Sequence, residues 1–172
     1  MIRSLLVILI PLIIISIFFT RVPNDVPVKV VDWGPALATA RTEAPFPVLA
    51  PVNLPDGWRA TRATWVQEGQ PSANGQRSPR NLWQLGFLTP DDVYLGLSQG
   101  DLEAPDLIAD ETREGVADGQ SVLGDATWMR MVSPDERTRS LVLSQPEVTT
   151  IVSGDLPYEA LESYVTTLSA TG

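Results

Sequence analysis

The sequence predicts an α+β domain: an antiparallel sheet of about seven strands with a C-terminal helix packed on one face, preceded by one N-terminal transmembrane helix. Three observations predict it. The chain opens on an uncharged run, residues 4–20, reading SLLVILIPLIIISIFFT. Its middle is a succession of short apolar segments separated by proline, glycine and aspartate turn signals, as in a sheet with local connections. Its end carries an amphipathic stripe with helical spacing.

The apolar run is read as an uncleaved signal anchor. Its 17 uncharged residues would span roughly 26 Å as a helix, slightly less than the ~30 Å hydrocarbon core. Pro11 removes one backbone donor, which membrane helices tolerate better than soluble ones. A cleaved signal peptide would need a small-x-small site just after the run. The residues there are Thr20, Arg21, Val22, Pro23 and Asn24, and the first A-x-A is Ala36-Leu37-Ala38. With no cysteine, lipoprotein processing is excluded. Arg3 favours a cytoplasmic N-terminus, although Arg21 and Lys29 follow the run and weaken the asymmetry. The expected organisation is an anchor at 1–21, a linker at 22–31 and an extracytoplasmic domain at 32–172. The expected location is the cell membrane, crossed once.

Arg3 is the only charged residue before Arg21. The rest therefore holds 11 of the 12 basic residues and all 21 acidic ones, a net charge of −10. Such a surface argues against nucleic acid and against anionic lipid headgroups as partners. There is no histidine and no cysteine. That removes Ser-His-Asp and Cys-His nucleophile systems, and His- or thiolate-ligated zinc, copper or haem. No glycine-rich phosphate loop is present. No cofactor, metal site or catalytic residue is assigned, and the expectation is a protein that is not an enzyme.

Beyond the linker, Asp32 suits an N-cap for a short helix over 34–43, with Ala36, Leu37, Ala40 and Ala44 on one face. Pro45 and Pro47 end it. Residues 45–58, PFPVLAPVNLPDGW, are turn-rich. Residues 60–68 alternate, with Ala63 and Trp65 on one side and Arg62 and Thr64 on the other. Residues 69–80 read as a flexible polar hairpin connection carrying Arg77 and Arg80. NLWQLGFL and VYLGLSQ follow, joined by Thr89-Pro90-Asp91-Asp92, where proline suits the second position of a turn. A short helix is expected within residues 101–118. QSVL and ATWMRMV flank Gly124-Asp125 as a second hairpin, and Ser133-Pro134-Asp135-Glu136 makes a turn. RTRSLVLS and VTTIVS are two further strands around Gln145-Pro146-Glu147.

The terminal helix takes Asp155 as N-cap and Pro157 in its first turn. Leu156, Ala160, Leu161, Tyr164, Val165 and Leu168 form its stripe. Leu161 and Leu168 are expected to be buried on the sheet, and Glu162 to lie exposed on the outer face.

Four motifs invite functional readings. Trp58, Trp65, Trp83 and Trp128 can form an aromatic platform for a sugar or peptide, or fill the space between sheet and helix. The acidic run Asp101, Glu103, Asp106, Asp110, Glu111, Glu114 and Asp118 offers oxygen ligands for calcium. It fails the EF-hand pattern, because positions 5, 6 and 12 are Pro105, Asp106 and Thr112. A solvated acidic face is expected. The pairs Asp91-Asp92 and Asp135-Glu136 sit at hairpin tips and are expected to face water rather than each other across a cleft. Arg77 and Arg80 can contact an anionic partner.

Four segments in this order carry a resemblance. They are FPVLAPVNLPDGW at 46–58, LWQLGFLTP at 82–90, GDATWMRM at 124–131 and IVSGDLPYEALESYVTTL at 151–168. With the anchor before them, the chain resembles an actinobacterial membrane-anchored family, domain of unknown function number 4245. The resemblance covers nearly the whole chain and implies a membrane-anchored, extracytoplasmic domain. It implies no activity and supplies no site residues. The LPDGW start and the strand–Gly–helix ending are also similar to the Mog1/PsbP-like fold, a likeness of fold that transfers no function. The leading functional expectation is a tethered domain that binds a protein or a cell-envelope component. The alternatives are a small-molecule or lipid carrier and a carboxylate-dependent hydrolase.

Overall fold

The computed structural model describes residues 29–72, 75–102 and 104–171. The expected anchor at 1–21, linker residues 22–28 and Glu103 lie outside the described residues. Among the described residues, no helix is long and apolar enough to cross a membrane.

The elements run in the order α1 (Gly34–Glu43), β1 (Ala50–Pro51), β2 (Arg59–Val66), β3 (Leu82–Leu88), β4 (Tyr94–Gly100), α2 (Ala104–Thr112), β5 (Val116–Leu123), β6 (Ala126–Val132), β7 (Arg139–Ser144), β8 (Thr149–Gly154), α3 (Tyr158–Val165) and β9 (Leu168–Ser169). Strands β2 to β8 form one seven-stranded sheet in the order β2-β3-β4-β8-β7-β6-β5, antiparallel throughout. Two meanders, β2-β3-β4 and β5-β6-β7-β8, are therefore zipped together along β4 and β8. Helix α2 carries the chain from the centre of the sheet to its far edge. The α+β class and the seven strands stand as the sequence predicts.

Turn chemistry places most strand ends. Between β3 and β4, Asp92 N–H donates to Thr89 O and Thr89 N–H to Val93 O, both at 3.0 Å, and Asp92 has φ 60°. This is a three-residue loop with a left-handed last residue, the second commonest hairpin closure. Gly124-Asp125 closes β5 on β6 with Leu123 opposite Ala126 and Gly124 at φ 61°.

Period-two alternation divides the sheet into two faces. Trp83, Leu85, Phe87, Leu95, Leu97, Trp128, Leu141 and Val152 join Ala40, Leu161, Tyr164 and Val165 in the main core. On the opposite face, Val142 and Ile151 meet Leu107 in a smaller cluster edged by Leu82, Ile108 and Met131. Helices therefore cover both faces: α1 and α3 on one, α2 on the other. The C-terminal helix packs on one face as the sequence predicts, and α2 adds cover on the other. Gly100 shows how closely α2 sits, because a Cβ there would lie 2.8 Å from Leu107 Cδ2.

The ends of the elements bring corrections. Asp32 does accept the Gly34 N–H at 3.0 Å, but Trp33 occupies the N-cap position. Asp155 does not cap α3. The N-cap is Pro157, with no side-chain cap bond, and Asp155 instead accepts from Thr138 Oγ1 at 2.6 Å and pairs with Arg137 at 3.3 Å. Helix α3 also stops before Leu168. The hydroxyls of Thr166 and Thr167 fold back on the carbonyls of Ser163 and Tyr164, both at 2.7 Å, a local bonding pattern that competes with helix continuation. Leu168 then enters β9 and pairs with Pro51 of β1. It is half-buried at the margin of the core, not on the helical stripe. Strand β5 begins at Val116, earlier than QSVL, because Gly119 at φ 99° absorbs a register shift between Ala117 and Gln120.

Candidate functional site

The face of the sheet that carries α2 is only partly covered. Beyond the helix it presents Arg62 and Thr64 of β2, Gln84 of β3 and Tyr94 of β4. An open cleft of about 480 Å³ lies between α2, the β2–β3 end of the sheet and the 69–80 segment. Its walls differ in charge. Arg62, Arg77 and Arg80 stand on the sheet and hairpin side, and Asp110 and Glu111 on α2. A second cleft of about 220 Å³ shares Arg62, Asp110 and Glu111 and continues past Tyr94 to Arg113, Thr138 and Asp155. The two form one polar trough.

The 69–80 segment supplies one wall because it pairs with itself. Gly69 N–H donates to Ser78 O at 2.7 Å, Ser78 N–H to Gln70 O at 2.8 Å and Ser72 N–H to Gln76 O at 2.8 Å, and Pro71 bridges Arg77. The hairpin connection expected from the sequence is present, its described residues paired across it by backbone hydrogen bonds. Arg80 is buried at its base and Arg77 is exposed near its tip, donating to Gly69 O at 2.9 Å.

Tyr94 lies flat on the sheet beside the larger cleft because two glycines make room for it. Gly86 and Gly96 face each other across β3 and β4, and the Tyr94 ring lies over both. A Cβ on Gly86 would meet the Tyr94 hydroxyl at 2.6 Å. Burial of that hydroxyl raises its pKa, the Arg62 guanidinium opposes the rise and Glu111 adds to it. Glu111 accepts a hydrogen bond from Gln84 Nε2 at 2.7 Å.

The residues singled out from the sequence are dispersed. Trp83 is fully buried and donates to Leu49 O at 3.0 Å, and Trp128 is buried in the same core. Trp58 stacks on Tyr164 at 5.9 Å, and Trp65 meets Phe46 edge-on at 6.2 Å while its Nε1 donates to Glu43. They pack the main core and its rim and form no platform. The acidic run is likewise divided. Asp101 accepts from Asn81 N–H and Nδ2, and Asp118 from the Tyr158 hydroxyl. Asp106 and Glu114 are exposed, and among the described members of the run only Asp110 and Glu111 line the larger cleft. Among the described residues, no group of carboxylates is arranged to hold a metal ion. Asp92 pairs with Arg59 of the neighbouring β2, and Asp135 accepts from Ser133 Oγ at 2.5 Å within its own turn. Of the residues singled out, Arg77, Arg80, Asp110 and Glu111 come together. Sequence reasoning missed Arg62, Gln84 and Tyr94. The available signal was the polar side of β2, where Arg62 and Thr64 alternate with core-facing Ala63 and Trp65.

A second charged cluster lies on the α3 side. Glu162 accepts from Ser121 Oγ at 2.5 Å and from Arg130 at 2.6 Å, and Arg130 Nε donates to Ser121 Oγ at 2.7 Å. The expectation of an exposed Glu162 is therefore corrected. A serine beside a carboxylate has the composition of a nucleophile and a base. Here the Ser121 hydroxyl first, and the Arg130 guanidinium second, hold the Glu162 carboxyl below its ordinary value, which weakens it as a base. The cluster fastens the β5–β6 hairpin to α3. A carboxylate depressed in the folded state stabilises the fold fully above its unfolded pKa and loses that contribution as pH falls through the folded value. Glu162→Gln is therefore expected to lower stability at neutral pH and to remove part of the destabilisation seen on acidification below about pH 4.5. Thermal melts across pH 3–7 check this; parallel wild-type and variant curves would overturn it.

Fold and trough together define a small α+β domain with one open, polar, doubly charged concave face. The chain belongs to the family described as "Protein of unknown function (DUF4245)", whose family model matches residues 1–168. No curated protein matches the chain.

Proposed function

We propose that the chain is a non-enzymatic, membrane-tethered binding domain on the extracytoplasmic side of the cell membrane. It holds a polar, charged segment of a protein or cell-envelope component in the trough between α2 and β2–β3. The single observation that carries this reading is the trough itself: a cleft of about 480 Å³, open to solvent, with arginines on one wall and carboxylates on the other. The tether is the apolar run at 4–20.

A lipid or apolar carrier would want an enclosed apolar cavity. Both clefts are instead open, and in the larger one ionic side chains share the lining with Val66, Pro79, Leu82 and Leu107. A hydrolase of the remaining type would want two carboxylates facing each other across the cleft. Asp110 and Glu111 are neighbours on one helix, Gln84 already donates to Glu111, and Asp155 in the second cleft is already bound by Arg137 and Thr138.

The test places a photo-reactive amino acid in the full chain in its native membrane. At Thr64, inside the trough, it is expected to give a discrete adduct. At Met129, on the far part of the sheet, it is expected to give none. Arg62→Glu should abolish the Thr64 adduct. Equal labelling at both positions, or labelling at Thr64 that survives Arg62→Glu, would overturn the reading.

A further inference from the structure

We infer that the trough selects a peptide segment that carries an ammonium and a carboxylate together, rather than a ligand of one charge sign. The inference rests on the binding function proposed for this groove and names the ligand class.

Among the described residues, Arg59, Arg130 and Arg137 are ion-paired, with Asp92, Glu162 and Asp155 respectively. Arg41, Arg113 and Arg139, like Arg62 and Arg77 facing the trough, have no carboxylate partner among the described residues. Arg62 reaches Thr64 Oγ1 at 3.4 Å and lies beside Tyr94, and Arg77 bonds a backbone carbonyl. Across the cleft, the Asp110 side chain makes no ion pair or hydrogen bond among the described residues. The two signs face each other over open space without closing on each other. A ligand of a single sign would be drawn to one wall and repelled by the other. A ligand with both signs satisfies both walls at once.

The shape of the site argues for an extended chain. The two clefts adjoin through Arg62, Asp110 and Glu111, and the second runs on past Tyr94 to Arg113 and to Asp155, which is held by Arg137 and Thr138. An elongated trough suits successive groups of a peptide better than a compact headgroup. Thr64 on the same wall supplies a hydroxyl for main-chain amides.

The experiment uses the full chain in nanodiscs and isothermal titration calorimetry. The probes are tetra-alanine with free termini, its N-acetyl form, its C-amide form and the doubly capped form. The free peptide is expected to bind, and each singly capped form to bind at least about tenfold more weakly, the scale of one charge-assisted contact. Asp110→Asn should erase the difference between free and acetylated peptide. Arg62→Gln should erase the difference between free and amidated peptide. Both replacements are on the trough surface, and unchanged circular dichroism will show that the fold is kept. Absence of binding by the free peptide, equal binding of the capped forms, or equal binding of glycerophosphoethanolamine would each overturn the inference. If these arms fail while the Thr64 adduct persists, the groove remains the binding site and the ligand class is wrong. If both fail, the groove itself is rejected.

Discussion

Replacing Phe87 with alanine is expected to lower the stability of the domain by about 3–5 kcal/mol. Phe87 is fully buried on β3. Its ring stands edge-on to Trp33 at 6.4 Å, tilted to Trp58 at 6.5 Å and tilted to Tyr164 at 6.0 Å. One side chain thus joins α1, the turn before β2 and α3 to the sheet. Removing it leaves a cavity bounded by three other rings, none of which can fill it without losing contacts of its own. Val52→Ala, at a residue 60% exposed in a loop, should change stability by less than about 0.5 kcal/mol. Urea unfolding followed by tryptophan fluorescence checks both. A Phe87→Ala midpoint close to wild type would mean that the aromatic cluster does not hold the three segments together.

The same cluster shows what the sequence could and could not disclose. Turns with strong local chemistry were legible: Pro90 with Asp91-Asp92, Gly124-Asp125 and Ser133-Pro134 each bound a strand where expected. Alternation correctly divided β2, with Ala63 and Trp65 on the core side. What alternation does not disclose is which element covers a face. Strand β8 reads TTIVSG and is buried throughout. Its Ile151 and Val152 lie under different helices, because the strand sits at the centre of the sheet beside β4. That position depends on the long-range pairing of β4 with β8, which no local pattern encodes.

The trough was illegible for the same reason. Arg62, Tyr94 and Asp110 are distant in sequence, and each alone reads as an ordinary surface residue. They meet because α2 crosses to the face opposite α1 and α3 and leaves the β2–β3 end uncovered. Arg77 and Arg80 could be singled out, since an otherwise polar loop with two arginines is conspicuous. Their partners across the cleft could not.

Leu161→Ala is expected to cost about 2–5 kcal/mol, and Leu168→Ala distinctly less. The stripe from Leu156 to Leu168 gives both residues the same helical face, so a continuous helix would make the two losses comparable. The fold separates them. Leu161 is fully buried on α3, in the cluster that holds Leu141 and Val152. Leu168 follows the turn made by Thr166 and Thr167 and is half-buried in a two-residue strand against β1. Truncating it removes less buried surface, and the backbone pairing with Pro51 survives. The loss at Leu161 should also exceed any effect at exposed Ser163 on the same helix, where less than about 0.5 kcal/mol is expected. Equal losses at Leu161 and Leu168 would restore the continuous helix and discard the β1–β9 pairing. No loss at Leu161 would mean that α3 is not docked on the sheet, and its apolar stripe would then be a surface in search of a partner.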